Sequence, residues 1–337
     1  MKKIAFVTGG TGFLGRNLID ELLRENWEVT ALHRKTSNLA SLKLLGIHLR
    51  EGDLQNLSSL GKIIPQKADA VFHVAANVSA WPLEREAQYK DNVLGTRNMV
   101  EASLKNGVKR FIFTSTMATY GFHQVPLTEE SESKGLESGL QYVRTKRLAE
   151  LEVQKGVEKG LDAVILQPCL IFGPYDVEQY SQIFMQIKEN KLPGVPPGGI
   201  HFCHAREVSR AHLRAFEKGR CGHSYILGGP YASYLKAFQK IAGIVEGKLP
   251  QKVTPLFILY SVAYFSLWGS YITRKPPALL PQLVKLLAHR WESCSQKAEK
   301  ELGYHAIPLE ESFRDCYQWM ISGGSDEVKH LFLKRAA

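Results

Sequence analysis

The sequence has few cysteines and no dense run of charge of either sign. Its five cysteines are an odd number with no CxxC pair, which argues against a disulfide scaffold and indicates free thiols in a reducing compartment. The apolar stretch behind the first three residues is too short for a signal peptide and runs into glycines, so export is not expected. Internal repeats and low-complexity tracts are absent too. We therefore expect a cytoplasmic globular protein.

The 337 residues have an ordinary globular composition with a surplus of positive charge. Hydrophobic side chains make up 44% and charged ones 23%, which excludes a disordered chain or a collagen-like fibre. Lys and Arg outnumber Asp and Glu by 43 to 33, giving a net charge of +10. Such a surplus attracts phosphate-bearing ligands and acidic membrane surfaces. Because the basic residues are scattered, no nucleic-acid partner is expected.

Short apolar runs alternate with helical patterns through the first half of the chain. Strands are predicted at residues 4–7, 28–33, 70–75, 111–115 and 163–167, and helices at 14–24, 87–105 and 142–159. Strands that alternate with helices indicate βαβ crossovers around a parallel sheet. The predicted fold class is therefore α/β, with a doubly wound parallel sheet of the Rossmann type.

The rhythm of strands and helices breaks after Pro168. Prolines and glycines crowd into residues 191–199, one more strand is predicted at 224–227, and the remainder has helical patterns with many aromatic residues. We predict a nucleotide-binding domain of residues 1–170 plus about 205–228. A smaller, mainly helical C-terminal substrate lobe would comprise about 171–204 and 229–337.

Residues 253–273 contain no charged side chain. Their length would permit a membrane span, but one proline, one glycine, three serines and three tyrosines dilute the hydropathy. A helix of the substrate lobe is the favoured interpretation. A peripheral contact with a membrane or lipid and a true span stay open as alternatives.

A glycine-rich loop follows the first predicted strand directly and opens a helix. It reads TGGTGFLG over residues 8–15, with Gly9, Gly12 and Gly15 spaced as GxxGxxG. Without side chains the backbone can turn tightly and bring its N–H groups to a pyrophosphate, which the helix N-terminus also attracts. The loop therefore predicts dinucleotide binding through Gly9, Thr11, Gly12, Phe13, Leu14 and Gly15.

The second predicted strand ends in basic residues. The acidic residue that would hold a ribose 2′-hydroxyl is absent there, and His33, Arg34 and Lys35 stand in its place. An arginine can hold a 2′-phosphate by a fork of hydrogen bonds. The predicted cofactor is therefore NADP(H), with NAD(H) as the alternative, and Arg34 and Lys35 are predicted to bind it.

Tyr142 and Lys146 form a YxxxK pair in a predicted helix, so both side chains rise on one face. A neighbouring ammonium is expected to lower the pKa of the phenol, which would let Tyr142 exchange a proton near neutral pH. The pair lies downstream of a strand that ends in hydroxyl residues, including Thr114, Ser115 and Thr116. Open α/β sheets bind their ligands at that edge.

Taken together, these motifs resemble the extended short-chain dehydrogenase/reductase family, the NAD-dependent epimerase/dehydratase superfamily, along nearly the whole chain. The matching segments are TGGTGFLG, GDL (52–54), HVAA (73–76), NVLGT (92–96), TSTMATYG (114–121), YVRTK (142–146), QPCLIFGPYD (167–176) and HAREV (204–208). The basic end of the second strand and the sequence 301–304 resemble most the branch of dihydroflavonol-reductase-like and 3β-hydroxysteroid-dehydrogenase-like proteins.

The resemblance implies roles for individual residues. Tyr142 would be the catalytic acid/base, Lys146 its activator and a ligand of the nicotinamide ribose, and Thr116 the hydroxyl that binds the substrate oxygen, with Ser115 as a substitute. Further cofactor contacts are implied for Asp53 and Leu54 at the adenine, Ala75 and Ala76 in the middle, Thr114 and Ser115 at the strand end, and Pro168, Leu170 and Ile171 at the nicotinamide. Asn92 would order the centre of the sheet edge or bond a helix start.

The resemblance implies a reductase or alcohol dehydrogenase that acts on a small apolar ketone/alcohol pair. Gln167 and Phe172 depart from the residues of sugar-nucleotide relatives, and Met117 and Ala118 cannot transfer protons, so dehydration is disfavoured. Aromatic candidates for an apolar substrate site are Trp81, Phe122, Tyr225 and Tyr231. A nucleotide-sugar epimerase with tightly held NAD, a non-catalytic NADP(H) sensor and a homodimeric state stay open. His204 is expected to close a strand–turn–helix corner, and no metal site is predicted.

Overall fold

The structure, a computed structural model, describes residues 2–176, 180–248 and 251–322. Seven strands form the main sheet: β1 (Ile4–Thr8), β2 (Glu28–His33), β3 (His48–Glu51), β4 (Ala70–His73), β5 (Arg110–Thr114), β6 (Ala163–Pro168) and β9 (Ser224–Leu227). Their spatial order is β3-β2-β1-β4-β5-β6-β9, and every neighbouring pair is parallel. The predicted doubly wound parallel sheet is confirmed.

Helices cover both faces of this sheet. They are α1 (Phe13–Arg24), α2 (Ala40–Lys43), α3 (Leu57–Ile63), α4 (Arg85–Tyr89), α5 (Gly95–Lys105), α6 (Gln141–Glu158) and α8 (Ala205–Lys218). The helices α1 and α8 pack together on one face, and α3, α5 and α6 pack on the other. Each face encloses its own apolar layer, as parallel strands buried on both sides require.

A second, smaller sheet and six further helices follow β6. The strands are β7 (Leu170–Phe172), β8 (Gly199–His204), β10 (Tyr231–Ser233) and β11 (Arg290–Trp291), and β8 pairs with the other three. The helices are α7 (Ser181–Lys188), α9 (Tyr234–Val245), α10 (Leu256–Thr273), α11 (Pro281–Ala288), α12 (Gln296–Leu302) and α13 (Leu309–Ile321). The second sheet was not predicted, because three of its four strands have only two or three residues. The end of the predicted lobe, residues 323–337, lies outside the described residues.

The predicted helical stretch over residues 87–105 is confirmed, but a π-helical turn interrupts it. The chain forms α4, then a π-helical turn at Lys90–Leu94, then α5. The wider turn lets the Asn92 side chain reach two neighbouring segments, and π-turns of this kind recur at functional sites.

The corner at His204 is confirmed. β8 ends at this residue and α8 begins at the next one, where the His204 Nδ1 accepts a hydrogen bond from the Arg206 N–H. The Nε2 atom lies 2.9 Å from a carboxylate oxygen of Asp315 on α13. His204 thus caps a helix and ties it to the C-terminal lobe.

The helix α10 is an exception to the compact packing. It is long and apolar enough to cross a membrane, yet only 11% of it is buried inside the protein. Large side chains on one of its faces are strongly exposed, including Phe265 at 76% and Trp268 at 68%. The opposite face packs on α11.

Candidate active site

The glycine-rich loop between β1 and α1 forms an open anion-binding cradle. Gly9 adopts φ +74°, and a side chain there would come within 2.7 Å of the Ala75 nitrogen. A side chain at Gly15 would overlap the Gly9 carbonyl, so α1 approaches the loop only because both residues are glycine. Gly12 caps α1 without a side-chain hydrogen bond. The first N–H groups of α1 are therefore free to bind a phosphate.

A chain of buried hydrogen bonds fixes the loop to the sheet. Thr96 donates its hydroxyl to the Asn92 carbonyl at 2.6 Å, and His73 Nε2 lies 3.0 Å from the Thr96 oxygen. His73 Nδ1 lies 2.8 Å from the Thr8 hydroxyl, which also accepts from the Ala75 N–H. Because the Thr96 hydroxyl already donates to Asn92, it can only accept a hydrogen bond from His73, so His73 carries its proton on Nε2. Burial lowers the pKa of His73 to about 3, so its imidazole is neutral.

The basic end of β2 lies beside the glycine loop, because β1 and β2 are neighbours in the sheet. The side chains of Arg34 and Lys35 are exposed, and neither forms an ion pair with any residue that the structure describes. The Gly52 N–H bonds the His33 carbonyl at 3.0 Å and so places Asp53 and Leu54 at the same edge. Arg34 and Lys35 thus share this edge with two exposed carboxylates, Glu51 and Asp53.

Tyr142 and Lys146 lie one turn apart at the start of α6. The Lys146 ammonium donates to the Thr114 carbonyl at the end of β5, over 2.7 Å, and lies 4.2 Å from the centre of the Phe113 ring. Burial lowers the pKa of Lys146 to about 7, an effect that the negative charge of Glu150 opposes. Lys146 is thus fixed to the end of β5.

Burial raises the pKa of Tyr142 to about 12. The expectation that Lys146 lowers the pKa of this phenol is therefore wrong for the free protein. The physical reason is that burial penalises the charged phenolate, while Lys146 directs its ammonium to the Thr114 carbonyl. Within the described residues, no group forms a hydrogen bond with the Tyr142 hydroxyl. That hydroxyl is available to a ligand.

The structure distinguishes the two hydroxyl residues that follow β5. Ser115 is buried and donates to the Glu150 carboxylate over 2.6 Å. Thr116 is half-buried and begins a 3₁₀ turn, where its oxygen accepts from the Ala118 N–H at 3.3 Å. The Ser115 hydroxyl is therefore committed to the protein, whereas the Thr116 O–H has no acceptor among the described residues. Thr116 is the better placed of the two to donate to a substrate.

Glu150 is a buried carboxylate that the sequence analysis missed. It lies one turn beyond Lys146 on α6 with 1% of its side chain exposed. Besides Ser115, it accepts hydrogen bonds from Thr119 at 3.0 Å, Gln167 at 2.8 Å and Arg147 at 2.9 Å. The signal for it was the spacing of four residues from Lys146, which puts both on one helix face.

Asn92 orders the edge of the sheet, one of its two predicted roles. Its side chain accepts from the Asn77 N–H at 2.7 Å and donates to the Asn77 carbonyl at 2.9 Å and to Thr145 on α6 at 3.1 Å. The other role is not observed, since α5 begins without a side-chain cap. Asn92 therefore holds the loop behind β4, which contains Ala75 and Ala76, against the helix that carries Tyr142.

The segment behind β6 is apolar and mostly buried. Pro168 ends β6, and Leu170 and Ile171 belong to β7. Gln167 is buried and accepts from the Tyr120 hydroxyl at 3.1 Å while it donates to Glu150. Phe172 is fully buried among aromatic rings. Gln167 and Phe172 therefore serve the interior of the protein.

Of the four aromatic residues predicted to contact a substrate, one is fully buried and three are half-buried. The assignment of Tyr225 is wrong, because its ring is fully buried and its hydroxyl bonds Glu301 at 2.7 Å. Phe122 packs against His289 and Trp291. Tyr231 packs against His201. Trp81 lies in the loop behind β4 and donates to Ser270 of α10 at 3.3 Å.

The residues present fit a nicotinamide dinucleotide. The side-chain-free cradle suits a pyrophosphate, and the unpaired cations at the end of β2 suit an anionic ribose.

The five cysteines are free thiols. Within residues 2–176, 180–248 and 251–322, no three His, Cys, Asp or Glu side chains group into a metal site.

Known proteins share both the sequence pattern and the fold. The pattern of the NAD dependent epimerase/dehydratase family matches residues 5–228. A Synechocystis sp. protein named as a dihydroflavonol 4-reductase is 31% identical over 95% of each chain. A 4-hydroxy-2-methyl-3-oxo-4-farnesyl-3,4-dihydroquinoline-1-oxide ketoreductase from Stigmatella aurantiaca is 29% identical over 96% of this chain and 98% of its own.

Among solved structures, UDP-glucose 4-epimerase from Thermotoga maritima is similar with a TM-score of 0.78. It is 21% identical over 96% of this chain and 100% of its own, a level at which the likeness concerns the fold alone. The match over residues 5–228 and the reductase relative agree with the cradle and the Tyr142–Lys146 pair. The chain therefore belongs to the NAD dependent epimerase/dehydratase family, as an oxidoreductase of the extended short-chain dehydrogenase/reductase type that binds a nicotinamide dinucleotide.

Proposed function

We propose that this protein is an NADP(H)-dependent oxidoreductase that interconverts an apolar ketone and its secondary alcohol. The observation that carries the proposal is the arrangement of Tyr142, Lys146 and Thr116. Among the described residues, neither the Tyr142 hydroxyl nor the Thr116 O–H has a partner that accepts from it, and Lys146 bonds the end of β5 at 2.7 Å, two residues before Thr116. Both hydroxyls would serve at the carboxyl edge of the sheet, where ligands of this fold bind.

The cofactor would be held along the same edge. The pyrophosphate would lie among the residues of the glycine-rich loop: Gly9, Thr11, Gly12, Phe13, Leu14 and Gly15. The 2′-phosphate would be held by Arg34 and Lys35, and the adenine would contact Asp53 and Leu54. The remainder of the cofactor would be bordered by Ala75, Ala76, Asn92, Thr114, Ser115, Lys146, Pro168, Leu170 and Ile171. When bound, the nicotinamide exchanges a hydride with the substrate carbon.

In the direction of reduction, Tyr142 supplies the proton and Thr116 orients the oxygen that receives it. Because burial keeps the pKa of Tyr142 at about 12, the phenol is protonated at neutral pH and ready to donate. Thr116 donates a hydrogen bond to the same oxygen, which limits the negative charge that develops there. The pKa of Lys146 is lowered to about 7 by burial. The negative charge of a nearby phosphate would raise this pKa and favour the charged ammonium.

The preference for NADP(H) rests on charge. Arg34 and Lys35 are exposed at the end of β2 and form no ion pair with a described residue. Between Glu28 and Glu51 the sequence has no carboxylate, and Glu51 itself lies level with His33 on the neighbouring strand β3. A guanidinium can bind two oxygens of a 2′-phosphate, whereas a carboxylate there would repel it.

An apolar ketone is supported by the surroundings of the hydroxyls and by the relatives. Thr116 is followed by Met117 and Ala118, so the paired acid and base that dehydration requires are missing at this point. The names of the two relatives denote reduction of a carbonyl, and the ketoreductase is named for a farnesyl-bearing compound. A substrate with a large apolar part is therefore proposed here too.

The test is an absorbance assay of NADPH oxidation with steroid, β-keto and aromatic ketones. We expect oxidation that depends on at least one ketone and disappears in Tyr142→Phe. Tightly held NAD in the purified protein, with conversion of a UDP-sugar and no ketone reduction, would instead identify an epimerase. NADPH binding without turnover across the panel would indicate a sensor or scaffold, and either result overturns the proposal.

A further inference from the structure

The outward face of α10 is an apolar surface that the described protein leaves uncovered. Phe257, Phe265, Trp268 and Ile272 are 66–76% exposed, and Tyr264 lies beside them at 60%. Their spacing at intervals of three, four and eight residues places them on one stripe of the helix. A contiguous exposed patch of this kind marks an interaction surface.

The inward face of α10 is fixed to the protein. Ala263 and Ser270 are buried, Trp81 donates to Ser270 at 3.3 Å, and the Leu279 N–H donates to Ser266 at 3.4 Å. To cross a bilayer, the helix would have to release these contacts and present serine side chains to hydrocarbon. The helix is therefore suited to lie flat along a surface.

Positive charge flanks the stripe at both ends. From residue 247 to residue 291 the chain has six Lys or Arg and no Asp or Glu. Four of these cations precede or follow the helix in the chain, are exposed and form no ion pair with a described residue: Lys248, Lys252, Arg274 and Lys275. The partner that complements this surface has an apolar interior and a negative border.

We infer that α10 is a membrane-docking helix that inserts its outward face into the interface of a bilayer containing anionic lipids. Trp268 and Tyr264 combine an apolar ring with a polar tip, which suits the headgroup boundary. Basic residues beside an apolar face add attraction to acidic headgroups. A second copy of the chain fits less well, because a two-fold pairing of α10 would bring the cationic ends of both helices together.

The inference does not depend on the proposed reaction, since it concerns a surface and can be tested without substrate. The full-length protein is mixed with vesicles of phosphatidylcholine, with or without phosphatidylglycerol, and binding is measured by flotation at low and high salt. We expect binding to vesicles with phosphatidylglycerol, weakened by salt, and at least ten-fold weaker binding to phosphatidylcholine alone.

Two pairs of variants separate the apolar and the charged contributions. Phe265→Ser with Trp268→Ser should lower binding at least ten-fold, whereas Leu44→Ser with Val125→Ser, which are exposed elsewhere, should leave it unchanged. Arg274→Glu with Lys275→Glu should abolish the preference for anionic vesicles. Lys43→Glu with Lys105→Glu alters the net charge equally and should weaken binding far less.

Three results would overturn the inference. The first is no binding to either vesicle, and the second is equal binding of wild type and the Phe265/Trp268 variant. The third is a concentration-dependent dimer, seen by sedimentation without lipid, that this variant abolishes, since a second copy would then cover the face. Bound protein that resists alkaline extraction would contradict the flat orientation and favour a span.

Discussion

The carboxyl edge of the main sheet and the helix α10 differ in which side chains they bury. The first buries polar groups, and the second exposes apolar ones. At the sheet edge, polar groups such as His73, Asn92 and Glu150 are buried, and each has several hydrogen-bond partners within the protein. Along α10, apolar rings such as Phe265 and Trp268 are exposed and have no cover. The first region has its polar groups paired within the protein, and the second is the one for which we infer a partner. Changes at the edge should therefore alter activity and stability, and changes on α10 should alter neither in solution.

The largest effect is expected for Tyr142→Phe. Losing the proton donor removes general acid catalysis, so the turnover rate should fall by about 10²–10⁴-fold. Cofactor affinity and the thermal midpoint should stay near those of the wild type, because the hydroxyl bonds no described residue. Stopped-flow or steady-state assays with a responsive ketone measure the rate. A variant that keeps more than a tenth of the wild-type rate would require another acid.

Thr116→Val should lower the rate by about 10²–10³-fold, the scale of one lost hydrogen bond to a developing oxyanion. Ser115→Ala is its matched control. It removes a donor to the buried Glu150, so it should destabilise the fold by about 1–3 kcal/mol with a smaller loss of rate. Parallel kinetic and thermal-unfolding measurements distinguish the two. If the rate falls only in Ser115→Ala, the roles of the two hydroxyls are reversed.

Arg34→Ala should weaken NADPH binding and spare NADH binding. One lost charge-assisted contact costs about 1.5–3 kcal/mol, which corresponds to about 10- to 150-fold in affinity. Fluorescence titration of both cofactors against wild type and variant measures these affinities. Lys43→Ala is the control, because it removes a cation from α2, the helix that follows β2 in the chain. Equal affinity of the wild type for the two cofactors would refute the assignment to NADP(H).

Acid should destabilise the sheet edge before it destabilises exposed regions. The pKa of His73 is lowered from 6.5 in the unfolded chain to about 3 by burial in the folded protein. Below about pH 6.5 the unfolded chain therefore binds a proton at this imidazole that the folded protein does not bind. Stability is thus fully present above that pH and is lost as pH falls from about 6.5 toward 3. Between pH 7 and 5 the loss is about 2 kcal/mol for this imidazole, measurable by urea unfolding. A His73→Gln variant should show a weaker dependence on pH over the same interval.

The smallest effect is expected for Phe265→Ser in solution. Its ring is exposed, so the free energy of unfolding should change by less than about 0.5 kcal/mol. Phe111→Ala, in the fully buried strand β5, should cost about 3–5 kcal/mol. Denaturant unfolding of both variants without lipid measures the difference. A large loss of stability in Phe265→Ser would mean that α10 is covered by protein in solution.

The sheet half of the fold could be predicted from the sequence because its local signals agree. The glycine loop, the apolar buried strands and the amphipathic helices all indicate the same crossovers, and the observed strands start or end within about two residues of the predicted ones. β3 was missed, since its sequence HLRE at the sheet border has mostly exposed side chains. The second sheet was missed because strands of two or three residues exist only through their pairing with β8.

The site could be predicted only as far as motif spacing reaches. The Tyr142–Lys146 spacing and the position of Thr116 follow from the chain order, and the structure brings them to one edge. The direction of the pKa shift of Tyr142 could not be predicted, since it depends on burial. Glu150 could not be recognised either, because a glutamate in a helix ordinarily faces solvent. Tyr225 was misjudged for the reverse reason, as an aromatic residue that belongs to the core.

The position of β9 in the chain has a consequence for biosynthesis. β6 ends at Pro168, but the strand that covers its free edge, Ser224–Leu227, is translated more than fifty residues later. During synthesis the growing sheet therefore exposes an apolar border, a state in which nascent chains are prone to aggregate. α10 leaves the ribosome only after β9, so the Rossmann sheet can close before the chain exposes its apolar helix.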